Sequence, residues 1–378
     1  MAEEQTDDIF VRLAKRIYNP IENLGDFEAA PKIFKHVLTF EQAQLADAFP
    51  GVPEELALKV GRDLESVNND LQYMYRIGVG TPSARSGKWN LPRTPMLFMD
   101  KLCTHHRNFS GPDFKDLLQD LSEARYQHRL RLREKDKSIR FPEEIQGNRL
   151  IPAYTAVKDK PELQPWESMK SILQISDKIT VVDCPCRIRT KGNRNCQMPN
   201  TTEACFLLNR DAEYAVDSGA ANNFLTVDEA MIIVERMEKV GMIHNAANLR
   251  GVSSLLCNCC IDHCMYITRW HREGKPRYAH RHPSRYLAVV NNELCVGCGS
   301  CVERCFLDAI SRKRDERGLL KAVVDEQDCM GCGSCVVGCP HAAIEFECVR
   351  PEEWVPSGIA KRPEEVRTGA RYEKYANL

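Results

Sequence analysis

Two runs of four cysteines, Cys295-x2-Cys298-x2-Cys301-x3-Cys305 and Cys329-x2-Cys332-x2-Cys335-x3-Cys339, constrain this chain more than any other feature. They repeat at an offset of 34 residues, from Cys295 to Cys329, and Ala309-Ile310 recurs in step as Ala343-Ile344. Two copies imply a pseudo-twofold module. In this spacing three closely set thiolates wrap one [4Fe–4S] cubane while the fourth cysteine reaches the cluster of the other run. Gly297, Gly299, Gly331 and Gly333 suit a loop that must curl tightly enough for backbone N–H groups to approach cluster sulfur.

Those runs hold eight of the 18 cysteines; eight more fall between Cys184 and Cys264, while Cys103 and Cys348 stand apart. Clusters of this kind indicate metal ligation rather than a disulfide framework, and they confine the metal chemistry to the C-terminal half. At 378 residues the chain is long enough for two to four domains. Lys and Arg (52) almost balance Asp and Glu (53), so bulk attraction to nucleic acid or anionic membrane is not implied. No apolar run reaches the roughly 18 residues of a membrane span, and the acidic start at Glu3, Glu4, Asp7 and Asp8 is unlike a signal peptide, so a cytoplasmic location is expected.

The expected architecture is a multidomain α+β chain with five parts. Residues 1–92 read as a helical domain resembling a winged helix. Thr39 and Gln42 form a capping box, Pro53 opens a helix that Gly61 ends, and Leu64, Val67, Leu71 and Met74 mark a third, before glycine punctuation through Gly87 to Trp89. Residues 93–178 read as a connector with one helix from Asp113 to about Glu134. Residues 179–290 form a cysteine-rich domain containing a helix that starts at the Thr226/Glu229 capping box and ends at Gly241. Residues 291–348 hold the repeat, and 349–378 form a tail whose Trp354, Tyr372 and Tyr375 could anchor it on a neighbour.

Residues 290–348 resemble the bacterial two-cluster [4Fe–4S] ferredoxins. The resemblance implies that Cys295, Cys298, Cys301 and Cys339 hold one cluster, and Cys329, Cys332, Cys335 and Cys305 the other. One departure is visible: Cys339 is followed by the usual Pro340, but Cys305 is followed by Phe306.

The central group is Cys184-Pro-Cys186-Arg187, Cys196, Cys205, Cys257-Asn-Cys259-Cys260 and Cys264. Eight thiols could hold one or two further iron–sulfur clusters, with structural zinc as the alternative. Arg187, Arg189, Lys191 and Arg194 put positive charge beside those thiolates, which would favour a reduced cluster. The C-x-C-R and C-N-C-C pattern is similar to a domain of multidomain iron–sulfur proteins of anaerobic prokaryotes, where it lies between a winged-helix-like segment and a ferredoxin domain. His263 could replace a thiolate, although cysteines are already in excess there, and His105 and His106 beside Cys103 could bind metal, although ordinary surface or packing is their better reading.

No C-x3-C-x2-C run, C-x-x-C-H or G-x-G-x-x-G motif is present, so no catalyst is evident. The expected function is electron transfer, as a protein or subunit passing single electrons between a donor and a separate redox enzyme. The alternative is an iron–sulfur redox sensor acting through the helical domain. Residues 35–80 carry four basic and seven acidic residues, a footprint that repels phosphate and favours protein partners over DNA. The basic run Arg129-Leu-Arg131-Leu-Arg133 is expected to be a solvated helix face.

Overall fold

A computed structural model describes residues 2–17, 27–92, 94–109, 112–136, 148–190, 203–251, 253–265, 267 and 281–357. Cys196, Lys191, Arg194, Tyr372 and Tyr375 lie outside the described residues. The chain mixes helix and sheet, with the cysteine repeat at the C-terminal end.

The N-terminal part is helical: α1 (Ala2–Arg16), α2 (Ala29–Val37), α3 (Phe40–Asp47), α4 (Pro53–Val60) and α5 (Leu64–Arg76). Sequence chemistry sets their ends. Thr39 and Gln42 close a reciprocal capping box, Gly61 takes the left-handed C-cap (φ 66°), and Asp63 caps α5 through the Ser66 N–H. On α5, Val67, Leu71 and Met74 are buried as their spacing requires, whereas Leu64 is exposed. Strands β1 (Thr81–Pro82) and β2 (Trp89–Asn90) form an antiparallel hairpin, and Trp89 also bridges Gly51.

The segment read as a connector divides its packing. Helices α6 (Pro95–Thr104) and α7 (Pro112–Lys135) share one apolar core with α1 to α5, where Phe34 stacks on Phe98 at 4.9 Å and Leu102, Phe114 and Leu118 are buried. On α7 the basic run is split: Arg131 is exposed and Arg133 half-buried, but Arg129 is buried, with Arg125 buried one turn before it, so the run as a whole is not the solvated face that flanking acidic residues suggested. The sequence pattern could not show this because the burying surface comes from distant elements.

Strands between residues 148 and 282 form the central sheet, whose strand order is β4-β5-β7-β6-β3-β8. The strands are β3 (Asn148–Ile151), β4 (Ile179–Asp183), β5 (Glu203–Leu208), β6 (Ile243–Ala247), β7 (Leu255–Cys259) and β8 (Arg281–His282). All neighbours pair antiparallel except β3 with β8. The helix Val227–Lys239, begun by its expected capping box, buries Ala230 and Val234 in one apolar core with Phe206 and Leu256 of the sheet. At the C-terminus, β9 (Tyr286–Val290) pairs with β12 (Ile344–Cys348), and β10 (Ile310–Arg314) with β11 (Leu320–Val324). β9 maps onto β11, and β10 onto β12, by the offset of the cysteine repeat. The start of the tail reaches the central part of the chain: Trp354 donates its indole N–H to the Pro283 carbonyl at 2.9 Å, and Arg250 Nε donates to the Val355 carbonyl at 2.8 Å.

Candidate metal centres

The two cysteine runs line two small cavities. Cys295, Cys298 and Cys301 share theirs with Cys339, and Cys329, Cys332 and Cys335 share theirs with Cys305. The fourth thiol of each run thus faces the other run's cavity. Matching N–H groups point at sulfur: Ala309 N–H to Cys305 Sγ and Ala343 N–H to Cys339 Sγ, both at 3.3 Å. Gly297 (φ 69°) and Gly331 (φ 66°) are required twice over. Beyond their left-handed backbone, a Cβ on Gly297 would meet the Leu320 carbonyl oxygen at 2.2 Å, and one on Gly331 the Tyr286 carbonyl oxygen at 2.2 Å. Gly299 (φ 92°) and Gly333 (φ 79°) start the short helices Ser300–Arg304 and Ser334–Val337.

Burial pushes Cys332 up to about 12 and raises Cys301, Cys305 and Cys335 as well, so these thiols need a cation to become thiolates. Cys298 is exposed; hydrogen bonds with Ser300 hold it below the ordinary thiol range.

A third group of thiols forms on the central sheet. Cys205 on β5 lies directly opposite Cys257 on β7, and Val182 on β4 lies opposite Cys205, so Cys184 follows just past that strand. Cys184 is hydrogen-bonded to Cys186 and Cys205, which hold it well below the usual thiol range despite burial; Cys205 in turn contacts Cys257. Cys186 and Cys264 are electrostatic neighbours. Arg187 and Arg189 are buried here: Arg189 donates to Cys186 Sγ at 3.2 Å, and Arg187 to Met242 Sδ at 3.3 Å. Burial disfavours the Cys260 thiolate, but hydrogen bonds from His263 and Arg187 bring its pKa below the usual value.

The three groups adjoin one another. Cys301 and Cys335, one from each cavity, lie in a single apolar core, and Cys305 and Cys332 pack with Cys257, Cys259 and Cys264 around Phe306 and Leu307.

Residues 294–343 match the family model described as a 4Fe-4S dicluster domain. This part of the chain is a ferredoxin-like iron–sulfur domain. No curated protein and no solved structure matches the chain. The geometry of the ferredoxin-like domain fits [4Fe–4S] clusters, because each cavity offers four thiols and inward N–H groups, and no carboxylate lines either one among the described residues. Thiolates are the soft ligands that such clusters take.

Asp262 joins two residues of the central group that the sequence singles out. Cys260, Asp262 and His263 bring their ligand atoms within 4.8 Å of one another, with His263 Nδ1 at 3.7 Å from Cys260 Sγ. Asp262 gave no signal beyond its place in the Cys260–Cys264 interval. His105 and His106 serve packing rather than a common site: His105 Nε2 meets Ser218 Oγ at 2.9 Å, and His106 Nε2 meets Asp183 Oδ2 at 2.9 Å. Cys103 is fully buried near Arg189 and Cys184, and burial raises its pKa to about 12.

Proposed function

We propose that this protein passes single electrons between a donor and a separate redox enzyme, as an electron-transfer protein or subunit rather than as the catalyst. One observation carries the reading: the two cysteine-lined cavities and the central thiols adjoin in sequence, joined by continuous apolar packing. When bound, iron–sulfur clusters supply one-electron redox chemistry at potentials set by charge, hydrogen bonding and exposure. Cys295, Cys298, Cys301 and Cys339 would hold one, and Cys329, Cys332, Cys335 and Cys305 another. Cys184, Cys186, Cys196, Cys205, Cys257, Cys259, Cys260 and Cys264 would hold one or two more.

The residues around each group differ, which supports a graded path. Phe306 and Leu307 exclude water between the second cavity and the central thiols. Buried Arg187 and Arg189 place positive charge beside the central thiols and favour added electrons there. Cys298 is exposed at the opposite end.

Anaerobic purification with iron and sulfide counting, followed by EPR, tests the proposal. The expected content is about 12–16 iron per chain. Eight iron with stoichiometric zinc would reject the central clusters, and clusters that do not exchange electrons internally would reject the function.

A redox sensor is the second reading. It is favoured by the helix Pro185–Thr190, which carries Cys186, Arg187 and Arg189 at the central thiols while Ile188 packs into the N-terminal helical core. The winged-helix-like reading of residues 1–92 supplies its output domain. DNA is disfavoured as the target because basic side chains there are already engaged: Arg62 with Asp70 at 2.7 Å, and Lys59 with the Ala48 and Pro50 carbonyls. A gel shift at low salt discriminates between the readings.

A further inference from the structure

The loop of the first cavity reaches the surface through a patch of unusual composition. Val296 is 61% exposed, Leu294 49%, and Leu319 51%. They are contiguous: the loop at Gly297 lies against the Leu320 carbonyl, and Lys321 Nζ donates to the carbonyls of Asn292 (2.7 Å) and Cys295 (2.6 Å). The exposed Cys298 sits within this patch. Large aliphatic side chains left in water around a cysteine cavity mark a contact surface.

The rim is basic. Arg312, Lys313 and Arg314 are consecutive and exposed on β10, and Arg312 donates to the Gly297 carbonyl at 3.4 Å. Arg317 pairs with Asp315 at 3.5 Å, Arg314 donates to the Gly318 carbonyl at 2.6 Å, and Glu293, Glu303 and Glu316 are exposed acids of the same loop and hairpin, so the consecutive positive charge lies on Arg312 to Arg314. Of the eight cysteines that line the two cavities, Cys298 is exposed, Cys305, Cys332 and Cys339 are half-buried, and the other four are buried.

We infer that this face docks a small acidic one-electron carrier protein, with Leu294, Val296 and Leu319 as the apolar centre and Arg312, Lys313 and Arg314 as the steering rim. The inference rests on the electron-transfer reading above and names its partner class. An apolar centre excludes water at the point of closest approach, while the basic rim speeds encounter with an acidic partner and weakens with salt. A transient complex suits a carrier that must leave after one electron.

The test uses the full-length, cluster-loaded protein and two reductants: a purified acidic [2Fe–2S] ferredoxin, and the small cation radical of methyl viologen. Lys313→Glu/Arg314→Glu should slow reduction by the ferredoxin about tenfold or more at low ionic strength and abolish its salt dependence. Leu319→Ser should slow it at all salt concentrations. Iron content should match the unaltered protein in both variants, and reduction by methyl viologen, a cation, should not slow in either. Ferredoxin rates and salt dependence unchanged in both variants would overturn the docking surface. If methyl viologen cannot reduce the unaltered protein, the electron-transfer reading itself fails.

Discussion

Arg304 Nη2 donates to the backbone carbonyl of Glu238 at 2.7 Å, which ties the first cysteine run to the C-terminal end of the helix Val227–Lys239. The same guanidinium reaches the carbonyls of Lys239 (3.1 Å) and, within the ferredoxin-like domain, Ser334 (3.0 Å). The Glu238 side chain faces the other way. It accepts from Tyr154 and Thr155 and pairs with buried His244 at 3.1 Å. Hydrogen bonds from His244 and Thr155 keep its carboxyl below the ordinary range although burial opposes this. The ferredoxin-like domain is therefore fixed to the central sheet by directional bonds as well as apolar packing, and its cavities keep their order along the molecule.

Arg304→Ala should detach this joint more than it destabilises either side. Three carbonyls lose a charged donor, a cost of about 2–4 kcal/mol if they stay buried. Hydrogen exchange should rise at residues 238–241 and 334–338 while iron content persists. Gly338→Ala should act similarly, since a Cβ there would meet Arg304 Cδ at 2.0 Å. Unchanged exchange in both variants would count against the joint.

Phe306 stands where a proline follows the matching cysteine of the second run, and it is buried among Leu150, Cys259 and Cys264. Phe306→Ala should cost about 3–5 kcal/mol through lost burial and a residual cavity. Chemical denaturation of the anaerobic protein reads this directly. The cluster held through Cys305 should survive, because the ligand is intact, while electron equilibration with the central site slows as water enters. A variant as stable and as fast as the unaltered protein would show that Phe306 is incidental.

Cys339→Ser should damage the cluster wrapped by Cys295, Cys298 and Cys301, and Cys305→Ser the one wrapped by Cys329, Cys332 and Cys335. Two distinguishable EPR signals, each lost in the variant of the opposite run, are the expected outcome. Loss confined to the substituted run would contradict the exchange of fourth ligands.

The repeat at Cys295 and Cys329 was legible because short loops around a cluster bring ligands together through local spacing, and so were the helices with capping boxes at Thr39 and Thr226. The central site was legible only as a composition of cysteines. Its geometry depends on β5 and β7 pairing Cys205 with Cys257 across more than 50 residues of chain, a long-range register that spacing cannot encode. The roles of Arg304 and Phe306 were hidden for the same reason: each looks ordinary locally and gains its meaning from a partner on another element. The burial of Arg125 and Arg129 likewise depends on the surrounding fold, not on their own helix.

His105 closes the contact between α6 and the central part of the chain. Its Nδ1 donates to the Lys101 carbonyl at 2.7 Å, and its Nε2 accepts from Ser218 at 2.9 Å. Burial pushes its pKa down to about 4, outweighing the carbonyl bond, so the folded protein holds it neutral. The unfolded chain titrates near the ordinary value of about 6.5 and binds the extra proton first. Stability from this group is therefore full above pH 6.5 and declines as pH falls toward 4. Between pH 6.5 and 5.5, a range that avoids the strongest acid attack on cluster sulfide, the loss should be about 1 kcal/mol. His105→Gln has no such proton to bind. Urea midpoints measured anaerobically at both pH values should move less in the variant than in the unaltered protein, and equal shifts would assign the acid sensitivity to other groups.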